Sequence, residues 1–246
     1  MSHCRAMLVA LSALVWCLPA GAGDASWSYD GERGPEHWAR LAEAYAMCGQ
    51  GRNQSPVDID EALPADLPPL SIDYAVHGER VVHDGHTLEV AFPRGNVLGV
   101  DGRRYRLRQL HFHVPGEHRR AGAGFAMELH LVHATDGGRL AVLALPYVIG
   151  APEPALESLL EHAPGEPGQE ATLSPALDAG ALVGEPLDYY RYSGSLTTPP
   201  CSEGVLWLVA STPGQLGASQ LARLADRLGE ANHRPVQPLN ARRVLE

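Results

Sequence analysis

Two stretches of this chain alternate with the two-residue period of a β-strand, and both place histidines in that pattern. They are Arg104-Tyr105-Arg106-Leu107-Arg108-Gln109-Leu110-His111-Phe112-His113 and Glu128-Leu129-His130-Leu131-Val132-His133. In an extended strand, residues i and i+2 share a face. Tyr105, Leu107, Gln109, His111 and His113 are therefore expected on one face of the first run, and Glu128, His130 and Val132 on one face of the second. Pro115-Gly116 and Gly122-Ala123-Gly124 between the runs let the chain reverse, so the two strands can pair. Pairing gathers three imidazoles, with Gln109 and Glu128 two residues ahead of His111 and His130 to hold the rings. Three neutral nitrogens with a fourth position left open is the coordination of a catalytic zinc. A lone histidine on such a strand is usually a satisfied core residue; the set with its orienting partners is what points to metal. His133 has the opposite parity to His130 and His118 lies in the connection, so both are read as structural.

The chain has 246 residues, room for one sizeable domain, and no repeat or composition break marks a second. Glycine and proline are frequent and aromatics few, the profile of a turn-rich globular fold. Leu88, Val90 and Phe92 alternate as a strand from Thr87, and Leu140 to Ile149 and Val205 to Ser211 read as buried strands. Helices are expected over Glu36 to Met47, after Pro154, and over Ser219 to Leu228, where Gly229 stops the last. The expectation is an α+β, mainly β single domain, with a large, mostly antiparallel twisted sheet and short peripheral helices.

Arg5, the apolar run Met7 to Leu18, Pro19 and the small residues Ala20-Gly21-Ala22 form the pattern of a secretory signal peptide over residues 1–22, too short for a membrane span. Trp16 before Cys17 is a poor fit to a lipidation site. Cleavage near Ala22 removes Cys4 and Cys17 and leaves residues 23–246 as the mature domain in the periplasm or medium. The remaining pair, Cys48 and Cys201, is by default a disulfide in an exported protein. The formal net charge is −10, all 19 basic residues are arginine, and cleavage makes the chain one unit more acidic. Such a chain has no electrostatic reason to bind nucleic acid or an anionic membrane surface.

Further motifs accompany the histidine strands in order. They are Gly34-Pro35-Glu36-His37-Trp38, Gln50-Gly51-Arg52-Asn53-Gln54-Ser55-Pro56-Val57-Asp58-Ile59, Ser195-Leu196-Thr197-Thr198-Pro199-Pro200-Cys201 and Pro235-Val236-Gln237-Pro238-Leu239-Asn240. From about Trp27 to the C-terminus, the chain resembles an α-class carbonic anhydrase of the exported bacterial kind. The resemblance implies a zinc enzyme that hydrates carbon dioxide reversibly to bicarbonate and a proton, through attack of zinc-bound hydroxide. It implies His111, His113 and His130 as zinc ligands, steadied by Gln109 and Glu128. Thr197 would accept a hydrogen bond from the hydroxide and donate to Glu117, and Thr198 would contact bicarbonate. Val132, Val142, Leu196 and Trp207 would form the apolar wall for carbon dioxide, a molecule without a net dipole. Tyr29 matches a residue of the ordered-water network, and His86, in His83-Asp84-Gly85-His86-Thr87-Leu88, matches a proton shuttle, with His83 a partial substitute. Bacterial relatives are often homodimers, which the sequence leaves open. Val114 and Pro115 stand where animal members have Trp-Gly.

Two other chemistries fit less well. His111-x-His113 with Glu117 and Gly124 matches the latter part of a cupin motif, but Tyr105 replaces its preceding glycine and no Pro-x-Gly-x-x-His follows. A thermolysin-like peptidase is excluded because no His-Glu-x-x-His occurs. A non-catalytic module on the same fold would be expected to lack a ligand histidine, and all three are present.

Overall fold

The computed structural model describes residues 26–184 and 187–246. The leader segment expected over 1–22, with Cys4 and Cys17, lies outside the described residues. Strands dominate. Among the described residues, a 13-stranded sheet runs in the order Glu170–Leu177, Gly78–His83, Leu88–Ala91, Arg103–His113, Met127–Ala134, Leu140–Ile149, Glu203–Ala210, Tyr189–Ser195, Val244–Leu245 and Ala62–Leu63, with three further strands off this path. Most pairings are antiparallel, as expected. Two places are exceptions: the central strand Leu140–Ile149 runs parallel to Glu203–Ala210 and to Gly214–Leu216, and Val244–Leu245 runs parallel to Ala62–Leu63. The sheet is therefore mixed.

Its two faces carry different layers. On one face Leu88, Val90, Leu110, Phe112, Leu129, Leu131 and Leu143 join the helices through Leu159, Leu160, Leu224 and Leu228 in the main core. Each such side chain, once buried, contributes about 1.5–3 kcal/mol of transfer free energy. On the other face Val142, Ala144, Tyr192, Val205, Trp207 and Val209 form a smaller apolar layer. The residues between, Glu128 and His130, take the second face because Leu129 and Leu131 take the first.

The two histidine strands pair antiparallel, with His111 opposite His130 and His113 opposite Glu128. The expected single face of the first strand does not hold along its whole length. Tyr105 and Leu107 lie in the same core layer as Leu110 and Phe112. The register shows why: His133 faces Leu107 and Val132 faces Gln109, so Arg108 is an extra residue. This β-bulge exchanges the two faces of the strand. Gln109, His111 and His113 thus share a face with one another, and not with Tyr105 and Leu107.

The helix expected over Glu36 to Met47 is broken. Trp38–Leu41 and Met47–Gln50 are separate short helices, with a single turn at Glu43–Tyr45 between them. Ala42 is extended, at φ −153° and ψ 151°. The break lets Trp38, Tyr45 and Cys48 turn together into a cluster with Cys201. Cys48 and Cys201 are disulfide-bonded, with Cα atoms 5.0 Å apart. After Pro154 a single turn leads into Glu157–His162, and Ala218–Leu228 is the longest helix described, closed by Gly229 at φ 76°. The positive φ explains the glycine there.

Candidate metal centre

The bulged strand and its neighbour bring His111, His113 and His130 together, each offering a nitrogen within 4.8 Å of the others. The other nitrogen of each ring is engaged. His111 Nδ1 lies 2.8 Å from Gln109 Oε1, and His130 Nε2 lies 2.7 Å from Glu128 Oε1. His113 Nδ1 donates to the backbone carbonyl of Asn232 at 2.6 Å. Nε2 of His111, Nε2 of His113 and Nδ1 of His130 are therefore the atoms left to meet. Burial pushes all three imidazoles below the ordinary histidine pKa, and at His111 and His130 the neighbouring rings add to the effect. His113 falls to about 4. Neutral imidazole is the form that binds metal.

A direct sign that a cation belongs here is His113 Nε2, a buried nitrogen with no hydrogen-bond partner. Buried polar atoms are rarely orphaned. Three imidazole nitrogens, each ring fixed by an acceptor on its far side, fit zinc in its catalytic form. Gln109 and Glu128 stand where the sequence placed them.

Glu128 does more than steady one ring. It is fully buried, and its two oxygens accept from His130 Nε2 and His118 Nδ1 (2.6 Å) and from the backbone amides of Glu117 (3.1 Å) and His118 (2.8 Å). Burial alone would raise its pKa, but the charges and hydrogen bonds of His118 and His130 hold it well below the carboxylate range. His118 is a buried loop residue and not one of the three facing histidines, yet it is more than filler. Its Nε2 meets Tyr192 Oη at 2.7 Å, and Tyr192 Oη lies 2.9 Å from Ser55 Oγ. His118, Glu128 and His130 are thus paired with one another, so their proximity forms a hydrogen-bonded chain and not a second cation site.

Glu117 is buried beside the ligands. Its Oε1 accepts the Arg234 amide at 2.8 Å, while Oε2 lies 3.6 Å from His113 Nε2 and 4.0 Å from His130 Nδ1. Burial raises its pKa; His130, the Arg234 N–H and the Thr197 hydroxyl draw it down. Thr197 is buried, and its loop is closed by Leu196 N to Ser202 O at 3.0 Å and Cys201 N to Thr198 O at 2.8 Å. The disulfide fixes that loop to the Cys48 helix, and Gln54 Nε2 donates to Cys201 O at 3.1 Å.

Val132, Val142, Leu196 and Trp207 belong to one apolar layer. Trp207 and His130 ring centroids are 5.0 Å apart, which sets that layer against the histidines. Thr198 is half-buried in the same loop as Thr197. His86 is half-buried and stacks on Trp27, with centroids 3.7 Å apart and planes at 8°. Burial lowers its pKa against the pull of Asp84 and Glu230. Tyr29 lies edge-on to it at 6.4 Å, its pKa raised by burial and by the carboxylates of Glu117 and Asp84. His83 cannot share the duty assigned to His86. It is 3% exposed, with Nε2 on Arg227 O and Nδ1 accepting from Gly85 N.

Sequence reasoning missed Asn232, Arg234 and Trp27. Asn232 and Arg234 act partly through backbone atoms, which leave no residue-type signal, and Trp27 precedes the motifs.

Fold and site together define a protein with a three-histidine, zinc-type centre on a large twisted sheet. The model of one family, eukaryotic-type carbonic anhydrase, matches residues 33–246. The carbonic anhydrase of Neisseria gonorrhoeae is 42% identical over 221 residues, covering 89% of this chain and 87% of that protein. That of Klebsiella pneumoniae is 40% identical over 244 residues, covering 98% of each. The structure of the α-carbonic anhydrase from Thermovibrio ammonificans with the inhibitor sulfanilamide shares the fold at a TM-score of 0.89 and 45% identity, over 91% of this chain and 100% of that one. The chain belongs to the eukaryotic-type, or α, carbonic anhydrase family. Among the described residues, no helix is long and apolar enough to cross a membrane.

Proposed function

We propose that this chain is an exported, zinc-dependent carbonate dehydratase that interconverts carbon dioxide and bicarbonate. The observation that carries the reading is the orientation of three neutral imidazoles, each pinned at its far nitrogen, beside a patch of apolar side chains. His111, His113 and His130 would hold the ion. Zinc so held lowers the pKa of a water to about 7 and polarises a carbonyl oxygen, a magnitude that belongs to carbonic anhydrase in general and not to this site's geometry.

The remaining roles fall to the protein's own groups. Val132, Val142, Leu196 and Trp207 exclude ordered water and leave room for an uncharged, dipole-free substrate. Thr197, with its proton turned toward Glu117, keeps only lone pairs for the reacting centre, so it accepts from a nucleophile that bears a proton and aims it. Thr198 offers a hydroxyl to the bicarbonate oxygens. His86 carries the product proton toward solvent, a task suited to a side chain that titrates near neutrality. The disulfide supports export, since such bonds persist in oxidising compartments. Cleavage of residues 1–22 would leave 23–246 as the catalytic domain.

A stopped-flow assay of carbon dioxide hydration on the mature protein tests the reading. The expected result is fast hydration that a chelator abolishes and added zinc restores. Protein with its zinc complement and no hydration above buffer would refute it.

A further inference from the structure

His86 is mounted on a backbone fixed at both ends. Asp84 Oδ1 accepts from the amides of His86 and Thr87, each at 2.8 Å. On the other side, Asn232 Nδ2 donates to His86 O at 2.9 Å and to Phe112 O at 2.8 Å. Asn232 Oδ1 accepts from Val114 N at 2.7 Å. The residue is 1% exposed, and its own carbonyl receives the Nδ1 proton of His113. One buried amide therefore grips the carbonyl of His86 and both residues that flank His113. With amide and carbonyl both held, the freedom left to His86 is rotation of its ring, which rests on Trp27.

We propose that Asn232 is a positioning residue for proton exit, fixing the separation between the His86 imidazole and the centre to which His113 belongs. The proposal rests on reading His86 as the group that carries the proton out. An asparagine suits the place because it supplies two donors and an acceptor on one short, flat group. Aspartate has no donor at neutral pH, and aliphatic residues have neither. Proton transfer is sensitive to geometry, so a small displacement of His86 should cost rate without touching the hydration step.

Asn232→Ala should lower kcat in dilute buffer by about threefold or more, with kcat/KM kept within about twofold and imidazole restoring kcat. In a His86→Ala background the same change should cause no further fall, because the group being positioned is gone. In zinc-free protein, the upfield displacement of the His86 ring protons over the Trp27 indole should shrink in Asn232→Ala when followed by NMR. Asn232→Ser keeps one hydroxyl on a shorter, uncharged side chain that cannot span all three partners, and serves if the alanine variant does not fold. Parallel loss of kcat and kcat/KM, an equal fractional loss in the His86→Ala background, or unmoved ring protons would overturn the proposal. If His86→Ala alone leaves kcat in dilute buffer unchanged, the proton-exit reading fails; the NMR displacement in zinc-free protein then decides whether Asn232 positions the ring.

Discussion

Replacing Glu128 by glutamine changes one oxygen to an amino group in a place where every neighbour is a donor. Four N–H groups converge on the carboxylate: two imidazole N–H and two backbone amides. Whichever way the new amide turns, its amino group faces one of those pairs. Two hydrogen bonds to a charged acceptor are lost, each worth about 1.5–3 kcal/mol. Relief from burying a charge offsets part of that, since such burial costs several kcal/mol by itself. The expected loss of stability for zinc-free protein is about 3 kcal/mol, the lower end of the sum. His130 also loses an anionic partner and becomes a weaker donor, for which about 10–100-fold in zinc affinity is typical. Urea denaturation of zinc-free protein and competition with a chelator measure the two effects separately. A Glu128→Gln protein within about 1 kcal/mol of wild type, and with unchanged zinc affinity, would show that the four contacts do not act as a unit.

Further outcomes follow from the same geometry. His130→Ala should remove most of the zinc and the activity together, because two histidines cannot fix an open tetrahedral site; metal analysis giving full occupancy would mean the ligand set is wrong. Thr197→Ala should keep zinc and lose about two orders of magnitude in hydration rate, the scale of one oriented hydrogen bond in a transition state; an unchanged stopped-flow rate would end its assigned role. His133, fully buried with Nε2 2.6 Å from Tyr74 Oη, is held down to about 3 by burial. It stays neutral when folded while the unfolded chain takes a proton below about 6.5, so its contribution is complete above that pH and fades as pH falls toward its folded pKa, at about 1.4 kcal/mol per pH unit. Urea melts across that window should show a shallower slope for His133→Phe, and an identical slope would refute the assignment.

What could be read from the chain was what local periodicity encodes. His111 and Gln109, or His130 and Glu128, sit two apart on a strand, and no tertiary information is needed to see that they share a face. The bulge at Arg108 was not legible, because arginines alternate smoothly up to Arg108 and only pairing with the next strand reveals the extra residue. The Glu36–Met47 helix failed for a related reason: helical spacing of Trp38, Leu41 and Tyr45 gives no hint that Cys48 must reach Cys201. His118 looked like an ordinary loop residue until the fold set it between Glu128 and Tyr192. Asn232 reaches His113 through a carbonyl that any residue would carry, across a separation of 119 residues.

The extra residue at Arg108 makes the length of that strand as consequential as its composition. Upstream, Tyr105 and Leu107 pack into the main core; downstream, Leu110 and Phe112 do, with the ligands on the opposite side. Deleting Arg108 alone would make Leu107 and Gln109 direct neighbours on opposite faces, so a regular ladder would keep Tyr105, Leu107, Leu110 and Phe112 in the core and the ligands on the cavity side. Loss of a neighbour is different. Without Arg106, a ladder that closes the bulge would turn Leu107 outward and drive Arg108 into the hydrophobic layer. A frame-preserving loss of one codon would thus be tolerated at Arg108 and damaging beside it. Single-codon deletions along this strand should find one tolerated position, at the exposed Arg108, flanked by intolerant ones.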